Sequence, residues 1–82
     1  MKIEEAFSIR IKYLLKEKGM TAEELSKKSD VSLNYINKLI TGTAKNLHIQ
    51  EMGQISIAFE MPLHEFLDDE VFHHLETKYT KK

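Results

Sequence analysis

The chain contains no cysteine. A disulfide framework and a thiolate metal site are therefore both excluded. It has one proline and three glycines alongside 41% hydrophobic residues, and so few backbone breakers fit a compact all-helical domain. No apolar run approaches the roughly 20 residues of a membrane-spanning helix, and the opening residues do not read as a secretory signal. The expected location is the cytoplasm. Eighty-two residues allow one domain, 1–82, with one small core and no cleft that encloses a cofactor. No cofactor and no small-molecule ligand are expected. Linkers, repeats and low-complexity segments are absent. No nucleophile–base arrangement or phosphate loop is recognisable, so an enzyme is not expected.

The last notable lack is of negative charge in one stretch. The net charge is −1, but residues 1–30 hold seven Lys or Arg and six acids, and residues 51–82 hold three lysines and seven acids. Residues 31–50 hold two lysines and no acid at all. A surface that meets phosphates must keep carboxylates away, so this window suits a polyanionic partner.

The remaining pattern is helical. Phe7, Ile11, Leu14 and Leu15 recur at helical spacing, with Ile3 one turn earlier, and predict a first helix over 3–18 that Gly19 ends. Thr21 and Glu24 stand at capping-box spacing before a second helix over 22–29. Ser32 is an N-cap candidate for a third helix over 33–41, and Gly42 stops it as a C′ glycine would. Asp30 occupies the turn between these two helices, and Asp tolerates the left-handed conformation better than most non-glycine residues. Residues 42–47 read as a loop. A fourth helix over 48–59 would turn Ile49, Met52, Ile55, Ser56 and Phe59 to the core. Pro62 stands at a favoured first-turn position for a fifth helix, 62 to about 76, with a frayed tail over 77–82. Gly53 costs roughly 0.5–1 kcal/mol inside a helix, which predicts a close helix crossing there.

Residues 21–42, TAEELSKKSDVSLNYINKLITG, resemble the helix-turn-helix of the λ-repressor-like, Cro type (the xenobiotic-response-element family of regulators). The resemblance extends from about Phe7 to Leu67. It takes in Ile9-Arg10-Ile11-Lys12, Lys18-Gly19-Met20-Thr21, Thr43-Ala44-Lys45-Asn46, and Ile55, Phe59, Met61, Leu63, Glu65, Phe66 and Leu67. It implies a five-helix DNA-binding domain whose helix 33–41 enters the major groove. Leu33, Asn34 and Lys38 occupy base-reading positions; Asn can pair with adenine and Lys with guanine. Thr21, Ser32, Asn37, Thr41, Thr43, Lys45 and His48 occupy phosphate-contacting positions.

Two positions depart from that family as a pair. Where it often has a buried Arg in helix one and Glu at the end of helix three, this chain has Leu15 and Ile40. Exchanging both members of a buried ion pair for apolar residues can be neutral or stabilising, whereas exchanging one is costly. The joint change predicts a Leu15–Ile40 contact. A third departure is Ala22, which stands where a glutamine is frequent and removes one DNA contact.

His64 with Asp68, and Asp69 with His73, are spaced i, i+4, and His74 follows. Zinc sites need three or four converging ligands, so a solvated polar face is the simpler reading and no metal is expected. Ile57, Val71 and Phe72 are candidates for a dimer seam, since two-fold DNA binders need one. The expectation is thus a homodimeric regulator of double-stranded DNA, a repressor, with no membrane association. The rival is a protein-interaction module of the same fold, antitoxin-like or a regulator–antagonist partner.

Overall fold

The computed structural model describes residues 2–74, and the candidate frayed tail lies outside the described residues. Helix α1 spans Ile3–Lys18, α2 Ala22–Ser29, α3 Leu33–Thr41, α4 Ile49–Ala58 and α5 Leu63–Phe66, followed by a 3-10 segment, Glu70–His74. The described residues contain no strand.

Local chemistry sets most of the boundaries. Thr21 closes a full capping box: its hydroxyl accepts from the Glu24 N–H at 3.1 Å, and the Glu24 carboxylate accepts from the Thr21 N–H at 2.9 Å. Two of the four orphan donors of a helix start are thereby satisfied. Ser32 accepts from the Tyr35 N–H at 3.1 Å and starts α3. Gly19, Asp30 and Gly42 all adopt the left-handed conformation, with φ of 62°, 62° and 76°. Asp30 thus performs the turn that glycine would serve more cheaply.

The core consists of Phe7, Ile11, Leu14, Leu25, Val31, Ile36, Leu39, Met52, Ile55, Phe59 and Phe66, with Ala44 beneath the loop after α3. Helix α1 crosses α3, where the Ser8 hydroxyl donates to the Ile40 carbonyl. Helix α4 crosses α2, where Gln54 Nε2 donates to the Ser29 carbonyl at 2.9 Å. Leu15 and Ile40 are both half-buried against the core.

Three expectations about packing are corrected. The fifth helix is not continuous from 62 to 76; it stops at Phe66, and a 3-10 segment resumes at Glu70. Arg10, which is 7% exposed despite its charge, is bonded to this break. Its Nε–H donates to the Phe66 carbonyl at 2.8 Å and its Nη2–H to the Glu65 carbonyl at 3.2 Å. In a continuing helix those carbonyls would accept from Glu70 and Asp69 instead. Asp69 then restarts the chain, its Oδ1 accepting from the Val71 N–H at 3.0 Å.

Ile49 is the second correction: it is 69% exposed. It lies on the apolar side of α4 but at the helix start, where it lines an open groove with Ile3, Leu47 and Phe72 rather than the sealed core. Gly53 is the third. A Cβ built there meets nothing within 4 Å, so no helix crossing among the described residues requires the glycine.

Candidate nucleic-acid interface

Helices α2 and α3 form a helix-turn-helix. Three serines hold its turn. Ser26 Oγ donates to the Val31 carbonyl at 2.6 Å, the Val31 N–H donates to Ser29 Oγ at 3.2 Å, and Ser32 caps α3. Helix α3 then divides sharply. Ile36 is 0% and Leu39 1% exposed, which anchors one side in the core. Asn34, Asn37, Lys38 and Thr41 are exposed on the other side, and Leu33 is half-buried beside them. All three residues at base-reading positions, Leu33, Asn34 and Lys38, therefore lie at or beside one accessible face.

The candidate phosphate contacts, Thr21, Ser32, Asn37, Thr41, Thr43, Lys45 and His48, are all exposed. Their hydroxyls differ in what they have left to give. Ser32 uses a lone pair in its cap and keeps its proton for an outside acceptor. Thr41 Oγ1 lies 3.0 Å from the Asn37 carbonyl and 2.9 Å from Thr43 Oγ1. With its proton on the carbonyl, Thr41 becomes the acceptor for Thr43, so Thr43 reaches a phosphate only by releasing its neighbour.

Tyr35 was not among the expected site residues, yet it ties α3 to the following loop. Its hydroxyl donates to the Asn46 carbonyl at 2.9 Å and accepts from the His48 N–H at 3.3 Å. The two bonds bracket Leu47 and hold the chain that carries Lys45 and His48. The sequence holds no periodic or motif signal for this, because a half-buried tyrosine in a helix is ordinarily read as packing.

Acids also approach the site. Glu23 and Glu24 occupy the first turn of α2. Glu4 and Glu5 line an open cleft of about 570 Å³ together with Thr41, Gly42, Thr43 and Lys45. On the far side of α1, a hydrogen bond from Tyr13 to Glu17, reinforced by that carboxylate's charge, raises the exposed phenol above its usual range.

The remaining candidates lie elsewhere. Ile57 is 72% exposed on α4. Val71 is half-buried, and Phe72 packs edge-on against Phe7 with ring centroids 5.0 Å apart. Among the described residues, no group of three or more His, Asp or Glu is placed to hold a metal ion. No helix there is long and apolar enough to cross a membrane.

These elements define a λ-repressor-like domain: a helix-turn-helix supported by α1, α4 and α5. A family profile described as Helix-turn-helix matches residues 11–66, and the chain belongs to that family. It is similar to the HTH-type transcriptional regulator SinR of Bacillus subtilis (strain 168), with 32% identity over 60 residues, covering 73% of this chain and 54% of SinR. The chain thus spans about half the length of that relative.

Proposed function

We propose that the protein is a sequence-specific DNA-binding transcriptional regulator, acting as a repressor, that inserts α3 into the major groove of double-stranded DNA. The observation that carries this reading is the division of α3. Its apolar side is sealed in the core, while Asn34, Asn37 and Lys38 stand exposed on a face without a carboxylate of its own. Asn34, Lys38 and Leu33 contact base edges. Thr21, Ser32, Asn37, Thr41, Thr43, Lys45 and His48 contact phosphates and set the register. Similarity to a transcriptional regulator supports the reading.

The working form is a homodimer in the cytoplasm, with Ile57, Val71 and Phe72 at or near the seam. Two copies place their α3 helices one DNA turn apart, about 34 Å. The exposure of Ile57 supports a partner there; Phe72 contributes less, because its ring is already engaged by Phe7.

The test separates readers from clamps. Asn34→Ala costs about 1–3 kcal/mol on the specific site and little on random DNA. Lys45→Ala weakens both alike and flattens the log–log salt slope by about 0.9. Identical effects of both substitutions on both kinds of DNA remove α3 as the reader. The second reading, a protein-interaction module of the same fold, is favoured by Ala22 and by the acids Glu23 and Glu24 in the first turn of α2. Absence of DNA binding at low salt, tested on genomic fragments, selects it.

A further inference from the structure

The stretch 31–50 has no acid in sequence, but folding brings acids to it. The first turn of α1 places Glu4 and Glu5 in the cleft shared with Thr41, Gly42, Thr43 and Lys45. Lys2 also lines that cleft, yet among the described residues neither glutamate makes an ion pair or a side-chain hydrogen bond. Two carboxylates without a direct side-chain partner among the described residues therefore stand beside the loop that, on the DNA reading, meets the phosphate backbone.

We infer that Glu4 and Glu5 are affinity-limiting residues of the DNA interface, which hold down binding to any duplex while leaving base discrimination to α3. The inference rests on the DNA reading above. Its physical basis is that phosphate contacts supply nearly all of the sequence-independent affinity. A carboxylate close to those contacts subtracts from that part of the binding energy. It does not touch the base edges, so specific and random sites weaken together. Exposed charges farther apart than a Debye length, about 8 Å at physiological salt, are largely screened, and closer ones only in part.

A plainer role exists for both glutamates: acids in a first helical turn favour the macrodipole. The two roles differ in sign. If the glutamates only support α1, their removal lowers the melting temperature and leaves DNA affinity equal or reduced. If they oppose phosphates, removal raises affinity even though the helix is slightly less stable.

The experiment uses the full chain with Glu4→Gln and Glu5→Gln together, titrated against a random-sequence duplex and against genomic fragments at several salt concentrations. Glu17→Gln is the control, with half the charge change per molecule. It lies on the same helix about 18 Å beyond Glu5 by helical rise and lines a different cleft. Expected is a gain of about 3–10-fold at low salt on both kinds of DNA, a steeper salt slope, and convergence with the wild type at high salt. The control should bind as the wild type does. Wild-type binding that the paired substitution leaves unchanged or weakens overturns this inference and leaves the DNA reading standing. Failure of wild type and variant alike to bind at low salt overturns both. Binding by the variant alone supports both.

Discussion

Arg10→Met tests the account of the C-terminal region most directly. The side chain is 7% exposed, and it holds the Phe66 carbonyl at 2.8 Å and the Glu65 carbonyl at 3.2 Å. A hydrogen bond from a charged donor contributes about 1.5–3 kcal/mol net, so the two together contribute about 3–6 kcal/mol. The ion pair to Asp69 at 3.1 Å adds little, because that carboxylate is 38% exposed and exposed pairs contribute about 0–1 kcal/mol. The guanidinium also lies 5.8 Å from the Phe66 ring centroid, a contact that Met replaces in part by packing. Met further removes the desolvation penalty of a buried charge. The expected net loss is about 2–4 kcal/mol, a large share of the roughly 5–15 kcal/mol that holds a domain folded. Urea unfolding followed by circular dichroism measures it. Arg10→Lys should recover less than half, since the two carbonyls are met by different nitrogens of a planar guanidinium, an arrangement that a single ammonium nitrogen does not reproduce. Asp69→Asn should cost under about 1 kcal/mol. A loss below about 1 kcal/mol for Arg10→Met would falsify the stabilising role assigned to these bonds.

Gly53→Ala should stabilise by about 0.5–1 kcal/mol, because the new methyl meets open space and the helix loses a flexible residue; a lower midpoint in the same urea assay would show that an outside partner or a hidden contact needs the glycine. Tyr35→Phe should leave global stability within about 1 kcal/mol while amide exchange at His48 accelerates; unchanged exchange there would mean that the hydroxyl does not hold the loop. Leu15→Arg should place a charge at a half-buried position and cost about 1–3 kcal/mol, and adding Ile40→Glu should recover part of it. A double-mutant cycle with no coupling would separate these two side chains.

Helices α1 to α4 were legible in the sequence to within a residue, and for one reason. Thr21 with Glu24, Ser32, Gly19, Asp30 and Gly42 act on backbone groups only a few positions away, and the spacing of Phe7, Ile11 and Leu14 repeats within one turn. Those interactions exist in any conformation that keeps the local chain helical, so local pattern determines them. The outward face of α3 was legible on the same basis, as the complement of Ile36 and Leu39. The tertiary structure alone decided what depends on residues brought together from distant parts of the chain. Arg10 reaches Phe66 across 56 positions, and nothing in the run around Pro62 announces that an arginine in α1 will bond the carbonyls at the end of its helix. The family resemblance drew attention to a different pair, Leu15 and Ile40. Ile49 follows the apolar spacing yet stays exposed, because periodicity gives the direction of a side chain and not the reach of the neighbours that would cover it. Glu4 and Glu5 are the same lesson in charge: an acid-free window is a property of the sequence, but the field at a surface is the sum over every residue that folding places near it.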